Sequence, residues 1–348
     1  MDKKTNLSYL ASITAGLFFG SIPIISAILR DLNISSIEQS LLRIFFGSIF
    51  GIGIIVFYTL KKNKDQVKNS IKLTSQKTYL LQSLLFVMMI FVYLSSIAVG
   101  TPAGEAALLI QIHPFVTLIL GRIFLKERIT KSKIIAIIVA TAGLITLTEV
   151  WKWESFMSSI VGTTLAILNG LFYAFYLLIG RASAEKRKDV PYSLSIAWVI
   201  SWAIIIALPL LIMFSLLPLP EELVKIEIEN IMKTKIILIG IGFALAGSVI
   251  PYGLLMISAK YQESSKSSLL LLDEPVFAII LGAIILKEPI TLSYILGGIG
   301  IIAGVIIIIL DKSKKIEAKE EAKGIEAKER KGKERKKRKK EKKKKRKS

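Results

Sequence analysis

His113 and Glu274 each stand immediately before a proline, Pro114 and Pro275, inside long apolar stretches. An ionisable side chain at mid-membrane depth costs about 3 kcal/mol on insertion scales, so its presence calls for a reason. Asp273 adds a second carboxylate beside Glu274, and two carboxylates sharing a low-dielectric site resist ionising together. An imidazole and two carboxyl groups at that depth can bind a cationic or zwitterionic solute, or carry a coupling proton. A hydrogen-bonded cluster that only locks two helices together is the competing reading. Each proline removes one backbone hydrogen bond and kinks its helix, which makes Pro114 and Pro275 candidate hinges. The freed carbonyls fall near Leu109–Ile110 and Leu270–Leu271.

Three further polar residues, Asn169, Tyr173 and Tyr176, follow one another at i, i+4 and i+7 and form one stripe of a helix. Facing a cavity, the stripe offers an amide, two hydroxyls and aromatic faces to an amine or a ring. Facing a neighbouring helix, it is a hydrogen-bonded seam. Trp198 and Trp202, one turn apart, read as packing residues. Arg43 has Glu38 and Gln39 one turn before it, so a local ion pair competes with a gate or anion contact. Glu105 opens an apolar segment and suits a helix N-terminus. Gly240, Gly242, Gly247, Pro251 and Gly253 mark one segment as a candidate bent helix, with Pro251 its hinge.

Enzymatic chemistry finds little material here. The chain has one histidine and no cysteine, so neither a thiolate metal site nor a convincing constellation of nucleophile, base and orienter is present in the sequence. No Gly-x-x-x-x-Gly-Lys-Ser/Thr pattern occurs, which argues against ATP-driven pumping by this chain. No metal, cofactor or catalytic residue is expected.

The elements that position these residues are long and apolar. Of the 348 residues, 53% are hydrophobic and the mean hydropathy is +0.59. Ten hydrophobic segments span about 7–29, 40–60, 79–100, 103–124, 133–150, 158–180, 193–217, 236–258, 267–286 and 292–310; about 20 apolar residues cross a bilayer as a helix. A tight turn at Thr101-Pro102 separates the third and fourth. With the N-terminus inside, the inner loops hold 19 Lys/Arg before the C-terminal tail and the outer loops hold 6, as the positive-inside rule requires. Both termini are then cytoplasmic. Residues 218–235 form an acidic, amphipathic outer loop.

The chain also repeats itself. Residues 113–130 (HPFVTLILGRIFLKERIT) recur without gaps at 274–291 (EPVFAIILGAIILKEPIT), and Gly143 matches Gly304. His113 and Glu274 are therefore equivalent positions. Five spans per half is an odd number, so the halves are expected to be inverted about an axis in the membrane plane, with the two prolines and their neighbours close to that axis. The fold class expected is an all-α integral membrane protein of ten helices in two five-helix repeats, 7–150 and 158–310.

The run Glu274-Pro275-Val276-Phe277-Ala278, then Leu286-Lys287-Glu288-Pro289-Ile290-Thr291, then a helix with Gly297, Gly298 and Gly304, resembles the EamA-type transporters of the drug/metabolite transporter superfamily. Pro114-Phe115, Leu125-Lys126-Glu127 and Gly143 look like a second copy of the module. The resemblance implies a cavity walled mainly by helices other than the fifth and tenth, and it implies carriage of a metabolite or amino acid. Members of that family usually carry glycine before the glutamate of the Leu-Gly-Glu end motif. Here Lys126 and Lys287 stand in its place, a departure expected to touch helix-end packing.

Residues 311–348 carry 21 Lys/Arg against 8 Asp/Glu and almost nothing apolar. Such a tail is expected to be disordered and solvated. It lacks the aromatic residues that stack on bases, so no specific nucleic acid is expected, and anionic inner-leaflet lipids are the nearer polyanion. The sequence thus points to a multi-pass cell-membrane protein that moves a small organic solute such as an amino acid or amine by alternating access, with proton coupling left open. A membrane scaffold recruiting partners through its basic tail is the alternative.

Overall fold

A computed structural model describes residues 3–61, 64–99, 101, 106, 109–149, 151, 160–187, 189–215 and 226–311. The expectations for Pro102, Glu105, residues 218–225 and the tail beyond Asp311 lie outside the described residues. The chain divides into a unit over Met1–Ile308, which holds the helix bundle, and a second over Ile309–Ser348.

Every regular element among the described residues is helical. Ten apolar helices follow one another: α1 (Lys3–Asp31), α2 (Ser36–Leu60), α3 (Leu73–Ala98), α4 (His113–Phe124), α5 (Lys131–Thr148), α6 (Ile160–Lys186), α7 (Tyr192–Ser215), α8 (Thr234–Tyr261), α9 (Ser264–Leu286) and α10 (Leu292–Ile309). Nine of them are long and apolar enough to cross a membrane. The tenth, α4, is a shorter apolar helix. Two short helices, Lys64–Ser70 and Ile228–Ile231, lie between α2 and α3 and before α8.

Local chemistry sets the helix ends. Ser35 and Glu38 form a reciprocal capping box at the start of α2: Ser35 N–H donates to Glu38 Oε2 at 2.6 Å, and Glu38 N–H to Ser35 Oγ at 3.3 Å. Thr130 caps α5 through the Lys133 amide. Three prolines coincide with interruptions of the helices, whereas Pro23 and Pro209 lie inside continuous ones. The apolar run around residue 113 restarts as α4 at His113, with Pro114 in its first turn, where a missing amide costs nothing. In the equivalent place, α9 passes through a 3-10 turn at Leu271–Asp273 and resumes at Glu274-Pro275. Helix α8 carries a π-turn at Leu245–Val249 just before Pro251.

The core of Met1–Ile308 lies among α1, α2, α3, α6, α7 and α8. Glycines allow the closest approaches. Helices α5 and α10 cross at backbone distance: a methyl group at Gly143 would sit 2.6 Å from Ile301 N and 2.7 Å from Gly297 O. Helix α6 lies against the break before α4, where Gly170 faces the Ile110 carbonyl that Pro114 leaves without an amide. Helix α1 lies against α9 in the same manner, through Gly16 and Gly20.

Candidate functional site

The middle of the helix bundle encloses a small cavity of about 40 Å³. Its polar lining comes from five helices: Arg43 (α2), Tyr93 (α3), Asn169 and Tyr173 (α6), Tyr252 (α8) and Glu274 (α9). Arg43 is buried, and it does not pair with Glu38 or Gln39. Glu38 is held in its capping box and accepts the Glu227 amide at 2.6 Å. Gln39 bonds Ser26 and the Ile34 carbonyl. Arg43 instead donates from Nε to Ser248 Oγ at 2.9 Å and from Nη2 to the Gly247 carbonyl, with its guanidinium over the Phe243 ring. Arg43 is thereby fixed while one face stays on the cavity. Glu274 is half-buried there, and its carboxylate accepts no hydrogen bond among the described residues.

The three residues expected to act together occupy different surroundings. Only Glu274 lines the cavity. His113 is fully buried, bonded from Nδ1 to Ser268 Oγ on α9 at 2.7 Å, with its ring against Tyr173 at 4.5 Å. Asp273 turns to α1, where its Oδ1 fills the notch left by Gly16 and neither oxygen has a partner. The stripe on α6 divides as well. Asn169 and Tyr173 line the cavity, while Tyr176 packs edge-on against Tyr252 at 5.1 Å. Pro114, Pro251 and Pro275 sit at the restart of α4, the π-turn of α8 and the break in α9. Trp198 and Trp202 are packing residues whose indole N–H groups bond Ser70 and Gln76.

Sequence reasoning missed Tyr93 and Tyr252 as cavity residues. Tyr252 had a signal: it directly follows Pro251 in the bent helix. It anchors an aromatic cluster with Phe19, Phe86 and Tyr176, all edge-to-face at 4.8–5.1 Å.

The two ends of the bundle differ. At the end where α1 begins, polar groups knit α1, α8 and α9 together. Ser12, Ser258 and Ser267 are joined hydroxyl to hydroxyl at 2.6–2.8 Å, and the two N–H groups of the Gln262 side chain are shared among the three. Beside them Glu127, just after α4, is buried across the start of α9. It accepts the amides and hydroxyls of both Ser264 and Ser265 at 2.5–3.0 Å. Lys133 completes the patch with bonds to Glu263, Ser265 and the Arg128 carbonyl. At the opposite end there is a vestibule of about 290 Å³ among α1, α3, α5, α9 and α10. Tyr93 lines both the vestibule and the central cavity. The vestibule walls include Leu144 and Leu147 of α5 and Tyr294 of α10, whereas the central cavity takes no lining residue from either helix.

Opposed charges, hydroxyls and aromatic faces thus converge on one space. The chain is 28% identical over 218 residues to an uncharacterized transporter of Archaeoglobus fulgidus, covering 63% of this chain and 72% of that one. A protein of known crystal structure shares the fold at a TM-score of 0.65 and 15% identity, over 87% of this chain and 97% of its own. The model of the EamA-like transporter family matches twice, at residues 6–148 and 160–310. With nine span-length helices among its described residues, this multi-pass membrane protein belongs to the EamA-like transporter family of the drug/metabolite transporter superfamily.

Proposed function

We propose that the protein is a secondary transporter that moves a small zwitterionic or cationic metabolite, an amino acid or amine, across the cell membrane by alternating access. Arg43 and Glu274 on one enclosed cavity carry this reading. A fixed guanidinium suits an acid group, an unpartnered carboxylate suits an ammonium, and Tyr173 and Tyr252 offer ring faces to an organic cation. At about 40 Å³ the cavity has room for a few water molecules, so a larger solute requires the helices around it to move apart.

The moving parts are two inverted five-helix repeats, 7–150 and 158–310, giving ten spans with both termini cytoplasmic and the basic tail 311–348 beside the inner leaflet. Support comes from the two separate family matches and the shared breaks before Pro114 and Pro275. The parallel packing of α6 on the α4 break and α1 on the α9 break adds to it. The knitted end is then cytoplasmic and the vestibule external.

The test is uptake of α-amino acids and amines into proteoliposomes, with and without a pH gradient. Glu274→Gln and Arg43→Gln are each expected to lower kcat/KM by about 10- to 100-fold, the worth of one charged contact. Accumulation driven by the pH gradient in the wild type establishes proton coupling. Glu274→Gln transporting at the wild-type rate and pH dependence would overturn the assignment of the site.

A further inference from the structure

Glu127 and Glu288 are the same residue of the two repeats, and the fold holds them alike. Each follows a lysine in left-handed conformation, Lys126 at φ 57° and Lys287 at φ 58°. Each donates its amide to the carbonyl of the glycine six residues earlier, Gly121 at 3.0 Å and Gly282 at 3.3 Å. Each lays its carboxylate over that same glycine. Their bonding differs completely. Glu127 is buried under four hydrogen bonds from the start of α9. Glu288 is exposed to the vestibule, and its carboxylate has no partner among the described residues.

A carboxylate positioned by its backbone and left open to a cavity is available to a ligand. Three charged residues line this cavity: Glu288, Glu149 and Arg30. Arg30 and Glu288 make no ion pair with each other. Tyr294 adds an aromatic face, and Leu144, Leu147 and Ala278 make an apolar wall. Like the central cavity, the vestibule combines an arginine, a glutamate and tyrosines, with Glu149 as a second carboxylate. At about 290 Å³ against about 40 Å³ it already has room for a small metabolite. Tyr93 stands between the two spaces.

We propose that the vestibule is a second solute site, which captures a zwitterion by its ammonium at Glu288 and its acid group at Arg30 before the solute passes Tyr93. This rests on the transporter reading and adds a binding step to it.

The chain has no cysteine, so Thr148→Cys, in the vestibule wall, gives a single reporter thiol. Its modification by a small methanethiosulfonate is followed in the full chain in proteoliposomes. The standard α-amino acids are present singly, with 2-phenylethylamine and 3-phenylpropionate as singly charged controls. At least one amino acid is expected to slow labelling about ten-fold at roughly ten times its Kd, with the controls far weaker. Adding Glu288→Gln or Arg30→Gln to the reporter is expected to abolish that protection, while Glu274→Gln leaves it intact. Protection by no amino acid, protection surviving both vestibule substitutions, or protection lost with Glu274→Gln would overturn the proposal. Uptake of the same panel is measured in parallel. Uptake without protection sinks the vestibule site alone, and protection without uptake of any solute sinks the transporter reading alone.

Discussion

Arg43 on α2 donates a hydrogen bond to the carbonyl of Gly247 on α8, inside the π-turn that precedes Pro251. The π-turn at Leu245–Val249 opens α8 at that point, and Arg43 closes the gap with a charged side chain. The same bond holds Arg43 at the cavity. Bend and binding residue are one construction.

Removing Arg43 should therefore cost stability as well as transport. Arg43→Gln strands a buried carbonyl, at about 1–3 kcal/mol. Pro251→Ala returns to α8 an amide that can compete with the arginine for that carbonyl. In a double-mutant cycle followed by thermal unfolding in detergent, the pair should be less destabilised than the sum of the singles, with a coupling above about 0.5 kcal/mol. Additive losses would mean that the Gly247 bond contributes nothing.

The lysines of the Leu-Lys-Glu runs occupy a conformation that disfavours side chains. At φ 57° and 58°, Lys126 and Lys287 sit where glycine is at ease and other residues are strained. Lys126→Gly and Lys287→Gly should each stabilise the protein by about 0.5–1 kcal/mol, raising the melting temperature with uptake unchanged. Lys→Val at either position should do the reverse, since a β-branched residue fits the left-handed region worst.

Glu127 latches α4 to the start of α9, and weakening the latch should open that end. Glu127→Gln keeps the shape but loses the charge that favours a helix N-terminus. A reporter at Ser12→Cys, buried in the hydroxyl network, should label several-fold faster in this background, while one at Thr148→Cys slows. Equal labelling at both positions would show that the latch does not set the balance between the two ends.

Deleting residues 313–348 separates the transporter from a scaffold. Uptake by the truncated chain should match the full-length rate, because among the described residues neither cavity is lined beyond Tyr294. Loss of uptake, with the shortened protein folded and inserted, would give the tail a part in transport.

Much of the fold could be read from residue order. Apolar run length gave the helices, and Pro114, Pro275 and Pro251 marked the three breaks because a missing amide is a local property. The facing of side chains was harder. Asp273 and Glu274 are neighbours in sequence, yet consecutive residues on a helix point about 100° apart. One reaches Gly16 and the other the cavity. His113 finds Ser268, 155 positions away, and no local pattern encodes that partner. Of the two readings open for Arg43, the ion pair with Glu38 is not formed, and the acceptor it does find, Gly247, belongs to the other half of the chain. The lysines before Glu127 and Glu288 were legible as a departure, and their backbone angle explains why glycine is usual there.

The small central cavity has a bioenergetic consequence. Among the described residues, the central cavity of about 40 Å³, the aromatic rings packed around Tyr252 and the serine–glutamine network at the end where α1 begins leave little space for a file of water. Protons and small ions cannot hop where water is interrupted. Packing of this kind is what a carrier needs if it is to reside in an energised membrane without dissipating the ion gradient.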